Sequence, residues 1–227
     1  MSNFLEIKNI SKNYFNQKKV NVLKNLSYKF KKGKIYSLVG PSGSGKSTLL
    51  NILSLIDRPS KGNLIFDSKK INFDDSKIND QIRSNYFGII YQEKNLLNDF
   101  TAIENISIAG IANGKSFKES LLLSEKILNK LRLRNRSNHF PSQLSGGENQ
   151  RIAIGRVLIN SPNIIIADEP SGNLDQKNAK EFFKLLFNLK SKKRIIIYAT
   201  HNRYFANLAD CRLQLINGKL KSINARK

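Results

Sequence analysis

Gly40-Pro41-Ser42-Gly43-Ser44-Gly45-Lys46-Ser47 constrains this chain more than any other stretch. It has the spacing of a phosphate-binding loop, with four residues between Gly40 and the Gly45-Lys46-Ser47 triplet. The context agrees: an apolar run at 34–39 reads as a strand, and a helical pattern runs from 46 to about 56. Glycines let backbone N–H groups curl around phosphate oxygens, and the following helix adds the positive end of its dipole. Lys46 is then placed to reach β- and γ-phosphates, and the Ser47 hydroxyl to ligate Mg²⁺. An ordinary glycine turn would not carry strand, lysine and helix in this order. The loop alone does not separate kinases, GTPases, helicases and transport ATPases.

The rest of the chain alternates strands and helices. Phe4, Ile7 and Ile10 fit a short strand, and 23–30 alternates before the Lys31-Lys32-Gly33 turn. A strand at 63–66 sits between Gly62 and a turn at 67–70, and 87–91 is another apolar strand. The middle, roughly 93–160, reads as helical. Leu121, Leu122, Ile127, Leu128 and Leu131 have helical spacing, and 145–160 forms a second helix. Strands return at 163–167 and 194–199 around an amphipathic helix bearing Phe182, Phe183, Leu186 and Leu189. A hairpin of 212–216 and 219–223 turns on Asn217-Gly218. Such alternation implies an α/β fold with a mostly parallel sheet covered on both faces, the helical middle being inserted into it.

Composition narrows the setting. No stretch approaches the ~20 apolar residues of a membrane helix, and Glu6 and Lys8 break any leader-like start. Cys211 is the single cysteine, so no internal disulfide forms, and no Cys/His cluster has metal-ligand spacing. A cytoplasmic protein is expected, reaching a membrane only through a partner chain. The net charge is +22, from 39 Lys+Arg against 17 Asp+Glu. That balance suits nucleic acid or an anionic membrane leaflet. It is dispersed without a long basic block, so we read it as a Lys-rich composition bias with nonspecific help at a membrane surface.

Two further motifs carry chemistry. Ile164-Ile165-Ile166-Ala167 delivers Asp168 and Glu169 to the C-terminal edge of a strand, where α/β sheets bind ligands. Asp168 is suited to hold Mg²⁺ and Glu169 to act as general base on a water. In Leu144-Ser145-Gly146-Gly147-Glu148-Asn149-Gln150-Arg151, Ser145 and Glu148 have capping-box spacing. The glycine pair therefore opens a helix whose first N–H groups face an incoming anion.

With the three motifs in this order, the chain resembles the ABC (ATP-binding cassette) ATPase family from Phe4 to about Ile223. The resemblance implies a P-loop NTPase core with a mostly parallel sheet, an N-terminal antiparallel β subdomain and an inserted helical subdomain. Its expected bounds are 1–92 and 161–227 for the core and 93–160 for the helices. It implies ATP and Mg²⁺ as ligands, with nucleotide contacts along Gly40–Ser47 and at Thr48, Ser145, Gly146 and Gly147. Gln92 matches the glutamine linking Mg²⁺ and water to the helical subdomain. Ser171-Gly172-Asn173-Leu174-Asp175 matches the loop crossing the dimer interface. His201 matches the histidine that contacts the γ-phosphate, and Tyr14 stands where the family stacks an aromatic on adenine. The implied catalytic set is Glu169, His201, Gln92 and Lys46; the implied metal set is Ser47, Gln92 and Asp168. Asn202 replaces a commoner Asp and Asn149 a frequent Gln, while His139 reads as structural.

Gln92-Glu93-Lys94-Asn95-Leu96-Leu97, then Thr101-Ala102-Ile103-Glu104-Asn105, resemble the group of lipoprotein-releasing, macrolide-export and cell-division ATPases. The resemblance implies a homodimer sandwiching two ATP, bound to integral membrane permease subunits on the cytoplasmic face of the inner membrane. The chain stops soon after His201, so the regulatory domain of many sugar and metal importers is not expected, and within the group lipoprotein release fits best by the length and the absence of a fused membrane domain. The rival of another class is a soluble ABC ATPase acting on nucleic acid, and no specific nucleic-acid binding is expected. A second rival is a cytosolic ATPase of iron–sulfur cluster assembly.

Overall fold

A computed structural model describes residues 4–16, 18–92 and 95–223. Among the described residues there are two sheets, seven α-helices and two short 3-10 turns. The order is β1 (Leu5–Asn16), β2 (Lys18–Phe30), β3 (Ile35–Val39), α1 (Lys46–Leu53), β4 (Lys61–Phe66), β5 (Lys69–Lys70), α2 (Ser76–Tyr86), β6 (Phe87–Ile90), α3 (Ala102–Ala112) and α4 (Phe117–Lys130). Then come α5 (Gly146–Leu158), β7 (Ile164–Asp168), α6 (Gln176–Asn188), β8 (Ile195–Ala199), α7 (Arg203–Ala206), β9 (Cys211–Ile216) and β10 (Lys219–Ile223).

The six-stranded sheet runs β10-β9-β3-β8-β7-β6. Its inner pairs are parallel, and only the β9–β10 hairpin is antiparallel. Both faces are buried, as a parallel sheet requires. Ile164, Ile166, Ile195 and Ile197 pack into one core, and Ile165, Ala167, Ile196 and Tyr198 into the other. The four-stranded antiparallel sheet runs β2-β1-β4-β5. It shares the first core with α1, whose Leu49, Leu50, Ile52 and Leu53 lie between the two sheets. This clamps the helix that follows the phosphate loop. The second core holds α3 to α6, where a Cβ on Gly155 would collide with Ile106 and Ile127.

The expected fold class holds, and several local expectations are corrected. β1 is 12 residues, not a short strand. Bulges near Ile7, Ile10 and Lys12, with Asn9 at φ 53°, break its alternation and hide its length in sequence. α1 stops at Leu53 rather than near Ile56, because Leu55 turns left-handed at φ 62°. The turn after β4 is Asp67-Ser68 alone, and Lys69–Lys70 pair back onto it as β5. α2 was not expected from the sequence. Leu122 has helical spacing but is 51% exposed, outside the core. Glu93 and Lys94, at the expected start of the helical segment, lie outside the described residues.

Candidate functional site: a nucleotide cleft at the strand ends

The C-terminal ends of β3, β7 and β8 deliver Gly40, Asp168 and Thr200 to one edge. A cleft of about 590 Å³ opens there. From the phosphate loop it takes Gly40, Ser42, Gly43, Gly45, Lys46 and Ser47, with Thr48 behind them. Gln92, Asp168, Glu169 and His201 close the other side. Val22, which sequence reasoning missed, also lines it, and so does Gly172, which the sequence placed only in a loop crossing the dimer interface. Val22 has no motif and is brought there by tertiary packing.

The loop geometry explains its glycines. Gly43 and Gly45 have φ 72° and 97°, a region that favours glycine. A Cβ on Gly40 would meet the Leu215 carbonyl oxygen at 2.2 Å. Gly45 is the N-cap of α1 and offers no side-chain cap, which leaves the first N–H groups of the helix to an anion. Lys46 Nζ lies across the loop and donates to the Gly40 and Pro41 carbonyls at 3.0 Å each. Pro41 faces a neighbouring cavity of about 490 Å³, and the Ser44 side chain is buried beneath the loop.

Asp168 and Glu169 diverge. Asp168 ends β7 with Oδ1 buried and unpaired by any protein donor. A buried unpaired carboxylate oxygen is costly, and with the Ser47 hydroxyl in the same cleft it forms an all-oxygen donor set that suits Mg²⁺. Glu169 takes φ 42°, uncommon for a residue with a side chain. Its N–H donates to the Ala199 carbonyl at 3.2 Å, and its carbonyl accepts from Gly172 at 3.0 Å. Its Oε2 accepts from the His201 backbone at 3.2 Å and lies 2.9 Å from His201 Nδ1. Gln92 packs on Gly172, where an added Cβ would approach its Nε2 to 2.9 Å.

Ser145, Gly146 and Gly147 are not among the residues lining this cleft. Ser145 caps α5, accepting from Glu148 N–H at 3.2 Å while Glu148 Oε2 accepts from Ser145 N–H at 2.8 Å. The Ser145 N–H bond holds the Glu148 carboxyl below its ordinary pKa; burial opposes it, and Arg136, 3.0 Å away, adds to the lowering. Gln150, on the same helix, donates to the Pro170 carbonyl at 2.7 Å. Tyr14 stands beside the cleft on β1, 42% exposed, with its hydroxyl donating to Asp57 at 2.8 Å. His139 lies 3.4 Å from Arg136 in a surface contact.

A family model described as ABC transporter matches residues 23–172. The chain belongs to the ABC transporter family. It is an ATP-binding, ATP-hydrolysing ABC ATPase. Among its relatives, the lipoprotein-releasing system ATP-binding protein LolD of Wigglesworthia glossinidia brevipalpis is 43% identical over 222 residues, covering 97% of each chain. LolD of Rickettsia bellii is 43% identical, covering 97% of this chain and 99% of that one. Among solved structures, the dimeric ABC transporter cassette MJ0796 superposes with a TM-score of 0.89 at 34% identity, covering 98% of this ABC ATPase and 99% of that chain. A post-hydrolysis dimer of the same cassette, bound to ADP and Pi, gives 0.89 at 33% identity.

Proposed function

We propose that this ABC ATPase drives lipoprotein release from an inner membrane, working as a homodimer on the cytoplasmic face beneath integral membrane permease subunits. Near full-length identity to LolD proteins supports the cargo. The dimeric cassettes of the same fold support the assembly. No described helix is long and apolar enough to cross a membrane; in this reading the permease subunits form the membrane path. α3 to α5 act as the helical unit, 93–160, and 1–92 with 161–227 as the nucleotide-binding core.

The observation that carries the chemistry is one cleft joining Lys46, Ser47, Asp168, Glu169 and His201. Backbone N–H groups of the loop bind the phosphates, and Lys46 leaves the Gly40 and Pro41 carbonyls to meet the β- and γ-oxygens. Ser47, Asp168 and Gln92 hold Mg²⁺, which neutralises phosphate charge when bound. Glu169 accepts the proton of the attacking water at Oε1, because His201 engages Oε2. His201 thereby orients the base and lies at hand for the γ-phosphate. Tyr14 stacks on adenine. The test is affinity purification of the chain from detergent-solubilised membranes. Integral membrane proteins retained with it in ATP-dependent fashion support the reading. A chain recovered alone, or with nucleic acid that stimulates its ATPase, would overturn it.

A further inference from the structure

Lys12 is a charged side chain that the hydrolysis chemistry does not use, yet it is only 8% exposed. Its Nζ donates to Asp57 Oδ1 at 2.6 Å and to the Arg58 carbonyl at 2.8 Å. The second oxygen of Asp57 accepts from the Tyr14 hydroxyl at 2.8 Å. The same Nζ lies 4.8 Å over the centre of the Tyr14 ring. One carboxylate thus ties together a lysine and a tyrosine from β1, and the lysine returns to cover one face of that tyrosine.

We infer that Lys12 and Asp57 are positioning residues for the adenine-binding face of Tyr14, and so set the affinity and base selectivity of the ATP site. This rests on the reading of Tyr14 as the adenine platform. Asp57 follows the last turn of α1, four residues beyond Leu53, so the ring is anchored to the helix that begins at the phosphate loop. The hydroxyl end also meets Thr48, which lines the cleft, so the ring hangs at its edge. With Lys12 on one face, a base can stack only on the other. The exposed 42% of Tyr14 lets a base reach it. An aromatic ring locked before binding loses little rotamer freedom when the base arrives. A phenol donating to a carboxylate is also more electron-rich, which favours an electron-poor purine on its face. Phe15 lacks such anchors and is 81% exposed, so adjacency in sequence does not make it equivalent. Burial alone would push the Asp57 carboxyl up, but the Lys12 and Tyr14 hydrogen bonds outweigh it and keep it low, hence charged at neutral pH.

The test compares ATP with inorganic tripolyphosphate, which has the phosphates and no base, by calorimetry on the full chain. Tyr14→Ala should weaken ATP about tenfold or more, the range of one base–aromatic stack, and leave tripolyphosphate unchanged. Asp57→Asn and Lys12→Met should each weaken ATP about three- to tenfold, again without loss of tripolyphosphate binding. Retained tripolyphosphate binding shows that the variants fold. Tyr14→Phe, which keeps the ring but removes the anchor, should fall between wild type and Tyr14→Ala. In the Tyr14→Ala background, Asp57→Asn should add no further loss, since it acts through the ring. If Tyr14→Ala weakens ATP but neither Asp57→Asn nor Lys12→Met nor Tyr14→Phe does, the positioning role is wrong and the platform stands. If Tyr14→Ala leaves the ATP to tripolyphosphate ratio unchanged, the platform itself is wrong.

Discussion

Two helices of this ABC ATPase carry glycine at their N-terminal ends, and they are capped differently. α1 starts at Gly45, in a left-handed conformation and with no side-chain cap. Its first N–H groups are open, and Lys46 supplies a cation beside them. α5 starts at Ser145 inside a complete capping box. There Glu148 closes the Ser145 N–H and brings a negative charge to the helix start, offset by Arg136. Only Gly146 and Gly147 remain to offer bare N–H groups, and Ser145 and Gly146 are exposed. A helix dipole favours anions at both starts. The first has a lysine and two acidic oxygen donors nearby and can hold a triphosphate by itself. The second has a carboxylate at its cap and no cation aimed at an anion. In the proposed homodimer it would meet a γ-phosphate already held elsewhere, on the phosphate loop of a second copy.

The largest effect belongs to the self-sufficient side. Glu169→Gln should lower ATP turnover by roughly 10²–10⁴, the contribution of one general base. Nucleotide affinity should be near normal, since the phosphate loop is untouched. Steady-state ATPase and calorimetry together read this; near-normal turnover would remove Glu169 from the base role.

Ser145→Arg comes next and separates the two helix starts. It replaces an exposed cap by bulk and charge. ATP should bind the single chain as before, while cooperative turnover is lost. If the variant hydrolyses ATP at the wild-type rate, α5 does not meet nucleotide.

The smallest effect concerns the carboxylate at the α5 cap. Glu148 has a lowered pKa in the folded chain. Its contribution to stability is therefore present above its ordinary pKa and fades as pH falls through the lowered value. Glu148→Gln keeps the capping-box hydrogen bond but not the charge, so it should cost at most about 1 kcal/mol at neutral pH. The difference from wild type should shrink below about pH 4. Denaturant midpoints at pH 7 and pH 3.5 would show it; a gap that widens at low pH would mean that Glu148 does not sit on the cap as charged carboxylate.

The same contrast explains what was legible in the sequence. The phosphate loop, the Asp168-Glu169 strand and the capped glycine pair are local patterns, each fixed within about ten residues. They could be read with their strands and helices attached. The continuous isoleucine runs of β7 and β8 announced a doubly buried sheet. α2 could not be read in the same way. Ile78 is 52% exposed and its buried side chain is the polar Asn79, so no apolar stripe marks it. Only the Asp75 cap on Ile78 N–H gives it away. The end of α1 was hidden for the opposite reason. Ile52, Leu53, Leu55 and Ile56 look like one apolar run, and the left-handed Leu55 is imposed by packing between the sheets. The Tyr14 anchor was illegible because Asp57 lies 43 residues away. Likewise the Gln150–Pro170 bond, which ties α5 to the residue after Glu169, spans 20 residues.

Sedimentation of the Glu169→Gln chain with and without MgATP tests most directly whether the two helix starts share one nucleotide. Binding to the dimer but not to the separate chain must shift the association equilibrium by mass action. A monomer without nucleotide and a dimer with MgATP, abolished by adding Ser145→Arg, is the expected result. A chain that stays monomeric at saturating MgATP, or dimerises equally well with Ser145→Arg, would contradict the shared site.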